Sequence, residues 1–199
     1  ENTLGNLIAF LKKPPQTIAV DLHPDMRSTK LGRQIAAQAD IPVVEVQHHH
    51  AHAAACLAEN GRSEGLALVF DGTGLGTDGT IWGAELLSVE PGGFRRLATF
   101  LPVPLPGGDA AVQNPARQLV GRFTTCGAGV SDEWRTRLGI SESDAMLWSK
   151  QCLENINSPL THAAGRVFDS FSVLLGFAPK TITYEGQPAI RLEAAACRY

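Results

Sequence analysis

Two short apolar runs separated by a helix-patterned segment constrain this chain most. Thr17-Ile18-Ala19-Val20-Asp21-Leu22 and Ile41-Pro42-Val43-Val44-Glu45-Val46 both read as strands, the first of them buried. Between them Leu31, Ile35 and Ala39 keep helical spacing, with Ser28 placed as the N-cap. A further helix-forming stretch follows the second run and ends at Asn60-Gly61. Strand, helix, strand, helix in that order requires parallel strands joined by a right-handed crossover. The fold class is therefore α/β. Upstream, Leu4, Leu7, Ile8 and Leu11 mark a helix that Pro14-Pro15 stops.

The pattern changes after Gly65. Leu66 to Phe70 reads as a strand, followed by a glycine-rich turn and a second strand from Ile81 to Val89. Pro91-Gly92-Gly93 makes another turn, and Phe94 to Val103 is expected as a third strand. Short turns between successive strands imply an antiparallel meander. From Val112 onward helices dominate, with Leu119, Val120 and Phe123 on one face and Val167, Phe171, Leu174 and Leu175 expected as a buried stripe. The polar stretch Asn60 to Gly65 divides the chain into residues 1–62, part of a first lobe, and 63–199, part of a second.

Composition narrows the partners. Net charge is −3 and no basic stripe is present, which disfavours nucleic acid. The four cysteines are scattered without a C-x-x-C pair, so they read as reduced thiols of a cytoplasmic protein. No apolar run approaches the ~20 residues a bilayer span needs, and no signal peptide is visible. The chain reads as an excised piece of something longer.

Four of the six histidines fall in His48-His49-His50-Ala51-His52. On a helix His48 and His52 stack one turn apart, with Cβ atoms roughly 5–6 Å apart, and can close on one metal ion. The bland alternative is a solvated histidine-rich helix start. His49 and His50 point elsewhere and read as supporting or surface groups. Cys56 lies a turn further along and reads as a small buried residue rather than a ligand. The spacing matches the zinc-peptidase motif H-E-x-x-H, but His49 stands where the general-base glutamate would be, which argues against a protease.

Asp71 ends an apolar run and opens Gly72-Thr73-Gly74-Leu75-Gly76-Thr77-Asp78-Gly79-Thr80. Glycines there let backbone N–H groups approach an anion, and the aspartate can hold a metal or polarise a water. A strand, not a helix, follows, and no Gly-Lys-Ser/Thr is present, so this is neither a dinucleotide fingerprint nor a Walker A loop. The alternatives are a phosphate grip and an ordinary glycine hairpin. Asp21 to Thr29 sits where a parallel strand ends, the usual ligand position in α/β sheets, and is either substrate-facing or a helix-capping loop. Gly165 lies inside a helix, a costly place for glycine that implies close approach of a ligand or another helix. Asp169, on the same face, could bind ribose hydroxyls or be a solvated surface group.

Together these segments resemble a known family. Asp21–Asp25, Gln47–Cys56, Asp71–Gly83, Pro104–Ala111 and Tyr184–Gln187 are similar, in order, to the C-terminal domain of the HypF-type hydrogenase-maturation carbamoyltransferases, and the resemblance runs from about Thr17 to Glu193. It implies the actin-like, sugar-kinase and heat-shock-protein ATPase fold, with two ribonuclease-H-like lobes, here truncated at both ends. It also implies kinship with the universal tRNA threonylcarbamoyladenosine-synthesis proteins.

By the resemblance, carbamoyl adenylate made from carbamoyl phosphate and ATP gives its carbamoyl group to the C-terminal cysteine of HypE, for the cyanide ligand of [NiFe]-hydrogenase. His48, His52 and Asp71 would hold a divalent metal (zinc, iron, manganese or magnesium). Gly72, Thr73, Gly74, Gly76 and Gly79 would hold phosphate, and Gly165 and Asp169 the nucleoside. The implied partners are the HypE tail and the remaining HypF domains, with no nucleic acid and no membrane. The alternatives are a tRNA-modifying transferase and a non-catalytic nucleotide- and metal-binding docking module. Two positions depart from the family pattern: Trp82-Gly83-Ala84-Glu85 replaces the usual Trp-Gly-Gly-Glu, and Met26 replaces an aromatic residue. Without the rest of the enzyme and the later motifs that complete the site, the piece is expected to be inactive alone and to expose an unpaired sheet edge.

Overall fold

The computed structural model describes residues 2–198, with side chains from Gly5 onward. Helix α1 (Asn2–Leu11) leads into a small parallel sheet, β1 (Ile18–Asp21) and β2 (Val43–Val46), joined by α2 (Arg27–Ala39). The register pairs Ile18 with Val43 and Asp21 with Val46. Helix α2 presses on β1 at Gly32, where a Cβ would fall 2.7 Å from Val20 Cγ1. Ser28 lies inside α2. The N-cap is Met26, which makes no side-chain bond, and Thr29 Oγ1 donates to the Asp21 carbonyl instead. Only Val20 of β1 is buried, because a two-stranded sheet has little to cover it.

Helix α3 (His48–Glu59) follows β2 directly and lies on a second sheet. That sheet starts with β3 (Gly65–Leu75), β4 (Ile81–Glu90) and β5 (Gly93–Thr99), an antiparallel meander. Ala53 and Leu57 of α3 pack on Ala67, Val69, Trp82, Leu87, Val89 and Phe94, the main apolar core. Strand β3 runs further than its apolar run suggests. Phe70 pairs with Ala84 and Gly74 with Trp82, so Asp71, Gly72 and Thr73 bulge opposite the single residue Gly83. The tight turn comes later, closed by Gly76 N–H to the Thr80 carbonyl at 2.9 Å.

The expected third strand ends early. Phe100 to Pro102 leave the ladder, and β6 (Val103–Pro104) pairs instead with β7 (Leu160–Thr161), which lies parallel to β4. Proline at 102 and 104 has no N–H for a ladder, which favours the break. Helices α4 (Asp109–Gln113), α5 (Ala116–Thr125), α6 (Asp132–Leu138), α7 (Glu142–Leu153), α8 (Ala164–Leu174) and α9 (Gln187–Ala196) complete the chain. Ala116, Val120 and Trp148 form a second core between α5 and α7.

Helix α8 is turned away from its expected orientation. Phe171 and Leu175 are about half exposed, while Asp169, Ser170, Ser172 and Val173 are buried. Polar partners on α5 set this rotation: Gln118 donates to Asp169 and Arg122 to Ser170. Among the described residues no helix is long and apolar enough to cross a membrane, and no strand pairs with the outer edge of β3.

Candidate metal centre and adjoining cleft

Gln47 starts the site. Its Oε1 accepts the His50 N–H at 2.8 Å and caps α3, which sets His48 and His52 on the face over the β3 bulge. His48 Nε2 lies 3.0 Å from Asp71 Oδ2 and 3.3 Å from His52 Nε2, and His52 Nε2 lies 3.7 Å from the same Asp71 oxygen. Ligands about 2.0–2.1 Å from a tetrahedral ion stand about 3.3 Å apart, so the triangle has the size of a cation site. The chemistry agrees. His48 Nδ1 meets Asp21 Oδ2 at 2.7 Å, and a neutral ring that donates there turns its Nε2 lone pair toward Asp71 and His52. With His52 in the tautomer that leaves its Nε2 unprotonated, three acceptors converge, which suits a cation.

Asp21 is the group that sequence reasoning left unassigned. Its second oxygen accepts the His23 N–H at 2.8 Å, so the Asp-Leu-His-Pro-Asp loop holds the carboxylate that orients His48. Cys56 is exposed rather than buried, and the four cysteines are unpaired. His50 stacks on Phe94. His49 is fully buried, with its pKa lowered first by burial and then by the neighbouring His48.

The predicted glycines divide between two jobs. Gly72 and Thr73, with Asp71, line a cleft of about 530 Å³ that also receives Arg166, Asp169 and Tyr184. Gly74, Gly76 and Gly79 lie outside that lining. A Cβ on Gly74 would come within 2.5 Å of His49 Cε1, and one on Gly76 within 2.1 Å of Trp82 Nε1. These two glycines admit the histidine helix and the indole, and Gly79 takes the positive φ of the turn. Gly165 is not among the residues that line the cleft, and what it meets is a strand rather than a helix: its Cβ would lie 3.0 Å from Gly72 Cα, so it lets α8 approach the bulge.

Asp169 is buried, not solvated. Burial raises its pKa, against the pull of Arg166, Gln118 and Arg122. Arg166 Nη1 pairs with Asp169 Oδ2 at 3.1 Å, while its buried Nε has no partner. Nothing in the spacing of the sequence singled out Arg166, but an arginine between Gly165 and Asp169 was the available signal.

A clamp braces the hairpin behind the bulge. Arg96 reaches Glu85 at 2.6 Å and Asp78 at 2.9 Å, with its guanidinium 4.1 Å from the Trp82 ring. Burial works to raise the Asp78 pKa, but hydrogen bonds from Thr80 and Trp82 and the Arg96 charge outweigh it and hold the carboxyl at about 2. Glu85 is likewise lowered: burial opposes, and the Gly83 and Ala84 N–H groups with Arg96 prevail. A carboxylate whose folded pKa is depressed stabilises above its unfolded value and loses that contribution as pH falls through the folded one. Wild-type and Asp78→Asn unfolding curves should therefore differ at neutral pH and converge between the ordinary 3.8 and about 2. Denaturant titrations across that window measure it, and convergence already above pH 5 would contradict the clamp.

Residues 67–199 match the family described as "Carbamoyltransferase, Kae1-like Domain, second subdomain", and residues 1–59 match "HypF Kae1-like domain". The carbamoyltransferase HypF of Rhodobacter capsulatus is 43% identical over 94% of this chain and 25% of its own length. Carbamoyltransferase HypF2 of Cupriavidus necator is 42% identical over 97% of this chain and 24% of its own. A crystal structure of full-length HypF in the phosphate- and nucleotide-bound form superposes with TM-score 0.87 at 32% identity, over 96% of this chain and 29% of that one. The chain thus spans about a quarter of the length of the relatives it matches. The likeness carries the fold, the actin-like and ribonuclease-H-like α/β architecture with a curled sheet.

Proposed function

The chain belongs to the HypF carbamoyltransferase family, through its Kae1-like region, and from that premise we propose that it forms the transfer site for a carbamoyl group. The donor is carbamoyl adenylate, made from carbamoyl phosphate and ATP by the remaining domains of a longer protein. The acceptor is the C-terminal cysteine thiol of HypE, in the cytoplasm. The product thiocarbamate supplies the cyanide ligand of [NiFe]-hydrogenase. One observation carries the reading: Asp71 belongs both to the histidine triangle and to the lining of the cleft.

The roles follow from placement. His48, His52 and Asp71 would hold the cation, and two imidazoles with one carboxylate suit zinc, iron or manganese better than magnesium, which prefers oxygen ligands. When bound, the cation supplies Lewis acidity toward oxygens of the acyl nucleotide. Asp21 keeps the His48 ring in register. Arg166, in the cleft lining, offers its guanidinium charge to phosphate, and Asp169 accepts from ribose hydroxyls. In the transfer, the partner's thiolate attacks the carbamoyl carbon, a carbon–sulfur bond forms, the carbon–oxygen bond to phosphate breaks, and AMP leaves with the electron pair. None of the four cysteines of this chain need act as a nucleophile.

The decisive assay incubates the full-length protein with carbamoyl phosphate, ATP and a HypE C-terminal peptide, and follows the cysteine by mass spectrometry. Carbamoyl on the peptide sulfur supports the reading, and its absence with adenylate present defeats it. The nucleotide part is tested separately. Asp169→Asn is expected to weaken ATP binding about 10-fold, the loss of a charge-assisted hydrogen bond. Metal content should stay at the wild-type level. Calorimetry and elemental analysis on the same preparation check both halves, and unchanged ATP affinity would remove Asp169 from the nucleoside site.

A further inference from the structure

His49 is fully enclosed, yet its Nε2 has no hydrogen-bond partner. Its neighbours determine where its proton sits. Gln47 Oε1 is occupied by the His50 N–H, so the other end of that amide is the NH2 group. This nitrogen lies 3.1 Å from the Leu75 carbonyl and 3.1 Å from His49 Nδ1. An amide NH2 only donates, so Nδ1 accepts, and the ring is then neutral with its proton on Nε2. Asp71 Oδ2 lies 3.9 Å from that nitrogen. Among the described residues no other carboxylate oxygen lies within 4.0 Å of it. Gly74 leaves the ring room to sit there, since any Cβ would strike His49 Cε1.

We propose that His49 is a positioning residue for Asp71, holding its Nε2–H for the carboxylate oxygen that completes the cation site. The inference rests on the metal reading above and extends it to a second supporting chain. Asp21 accepts from His48 and fixes one ligand, while Gln47 through His49 donates toward Asp71 and fixes another. Both supports start from residues beside the triangle and neither touches the cation. At 3.9 Å the contact is longer than a hydrogen bond, and the Asp71 carboxylate, whose Oδ2 sits 3.0 Å from His48 Nε2, would have to turn toward His49 to make it.

Two measurements on the full chain test this. Side-chain nitrogen NMR of the metal-free chain reads the tautomer directly: Nε2–H is expected for His49, and Nδ1–H overturns the proposal. Zinc and cobalt affinities by chelator competition give the second test. His49→Leu fills the space but has no donor, and should bind about 10–100-fold more weakly, with an altered cobalt absorption spectrum. His49→Gln returns an N–H near the position of Nε2 and should recover close to wild-type affinity. If His49→Leu does not fold, His49→Met replaces it, since it too fills the space without a donor, with the same loss expected. Equal affinity in wild type and either donor-less variant, or equal losses with Leu and Gln, overturns the proposal. A wild-type chain that takes up neither metal instead sinks the cation site itself, and this inference with it.

Discussion

A His48→Ala substitution in the full-length protein is expected to leave carbamoyl-adenylate formation intact and to cut carbamoyl delivery to the thiol by about 10²–10³-fold or more. His48 is the hub of the triangle. Its Nε2 lies within 3.3 Å of both Asp71 and His52, and its Nδ1 is held at 2.7 Å by Asp21. Alanine removes a proposed ligand and leaves two carboxylates, Asp21 and Asp71, facing a vacated space with no imidazole between them. His52 is more than half exposed, with a side-chain accessibility of 56%. Its loss should cost less, since water can take its place. ATP- and carbamoyl-phosphate-dependent release of pyrophosphate reports the first step, and carbamoyl on the HypE peptide reports the second. Delivery at the normal rate in His48→Ala would show that the triangle is not the transfer site.

Gly83→Ala is expected to damage both stability and the site. A Cβ at Gly83 would lie 2.6 Å from the Asp71 carbonyl oxygen, 2.7 Å from Ala163 Cβ and 2.9 Å from Ala163 Cα. None of these is the free end of a flexible side chain, so the backbone must move. Overpacking of this kind costs about 1–3 kcal/mol. Because the obstructed atom belongs to Asp71, the displaced bulge should also carry its carboxylate off the histidines. Urea unfolding and zinc affinity are therefore expected to fall together. Gly92→Ala serves as the control, because nothing lies within 4 Å of its Cβ and only the positive φ of the turn is strained. Unimpaired zinc binding in a destabilised Gly83→Ala would separate the bulge from the cation site.

What could be read in the sequence follows a physical line. The runs Ile18 to Val20 and Val43 to Val46 and the intervening helical spacing are local signals, and the β-α-β-α order formed as expected. The convergence of His48 and His52 was legible because helical spacing alone sets it. The supports were not. Asp21 meets His48 only because β1 pairs in parallel with β2 and sets Asp21 beside Val46, two residues before the histidine. The bulge at Asp71–Thr73 depends on what β4 offers across the ladder, where Gly83 alone stands opposite three residues. Helix α8 misled because apolar spacing marks the buried face only when the core is apolar. Here Gln118 and Arg122 required polar partners, and Asp169 and Ser170 turned inward to meet them.

The pairing of β1 with β2 has a mechanical corollary. Each strand contributes four residues, and a slip of one position would send Asp21 to the opposite face of the sheet. So short a ladder, alone, holds its alignment weakly. A cation gripping His48 would tie the end of one strand to the helix that follows the other, and so act as a rivet on that alignment. Amide exchange in Ile18 to Asp21 should then slow when metal is added, although none of these residues binds it.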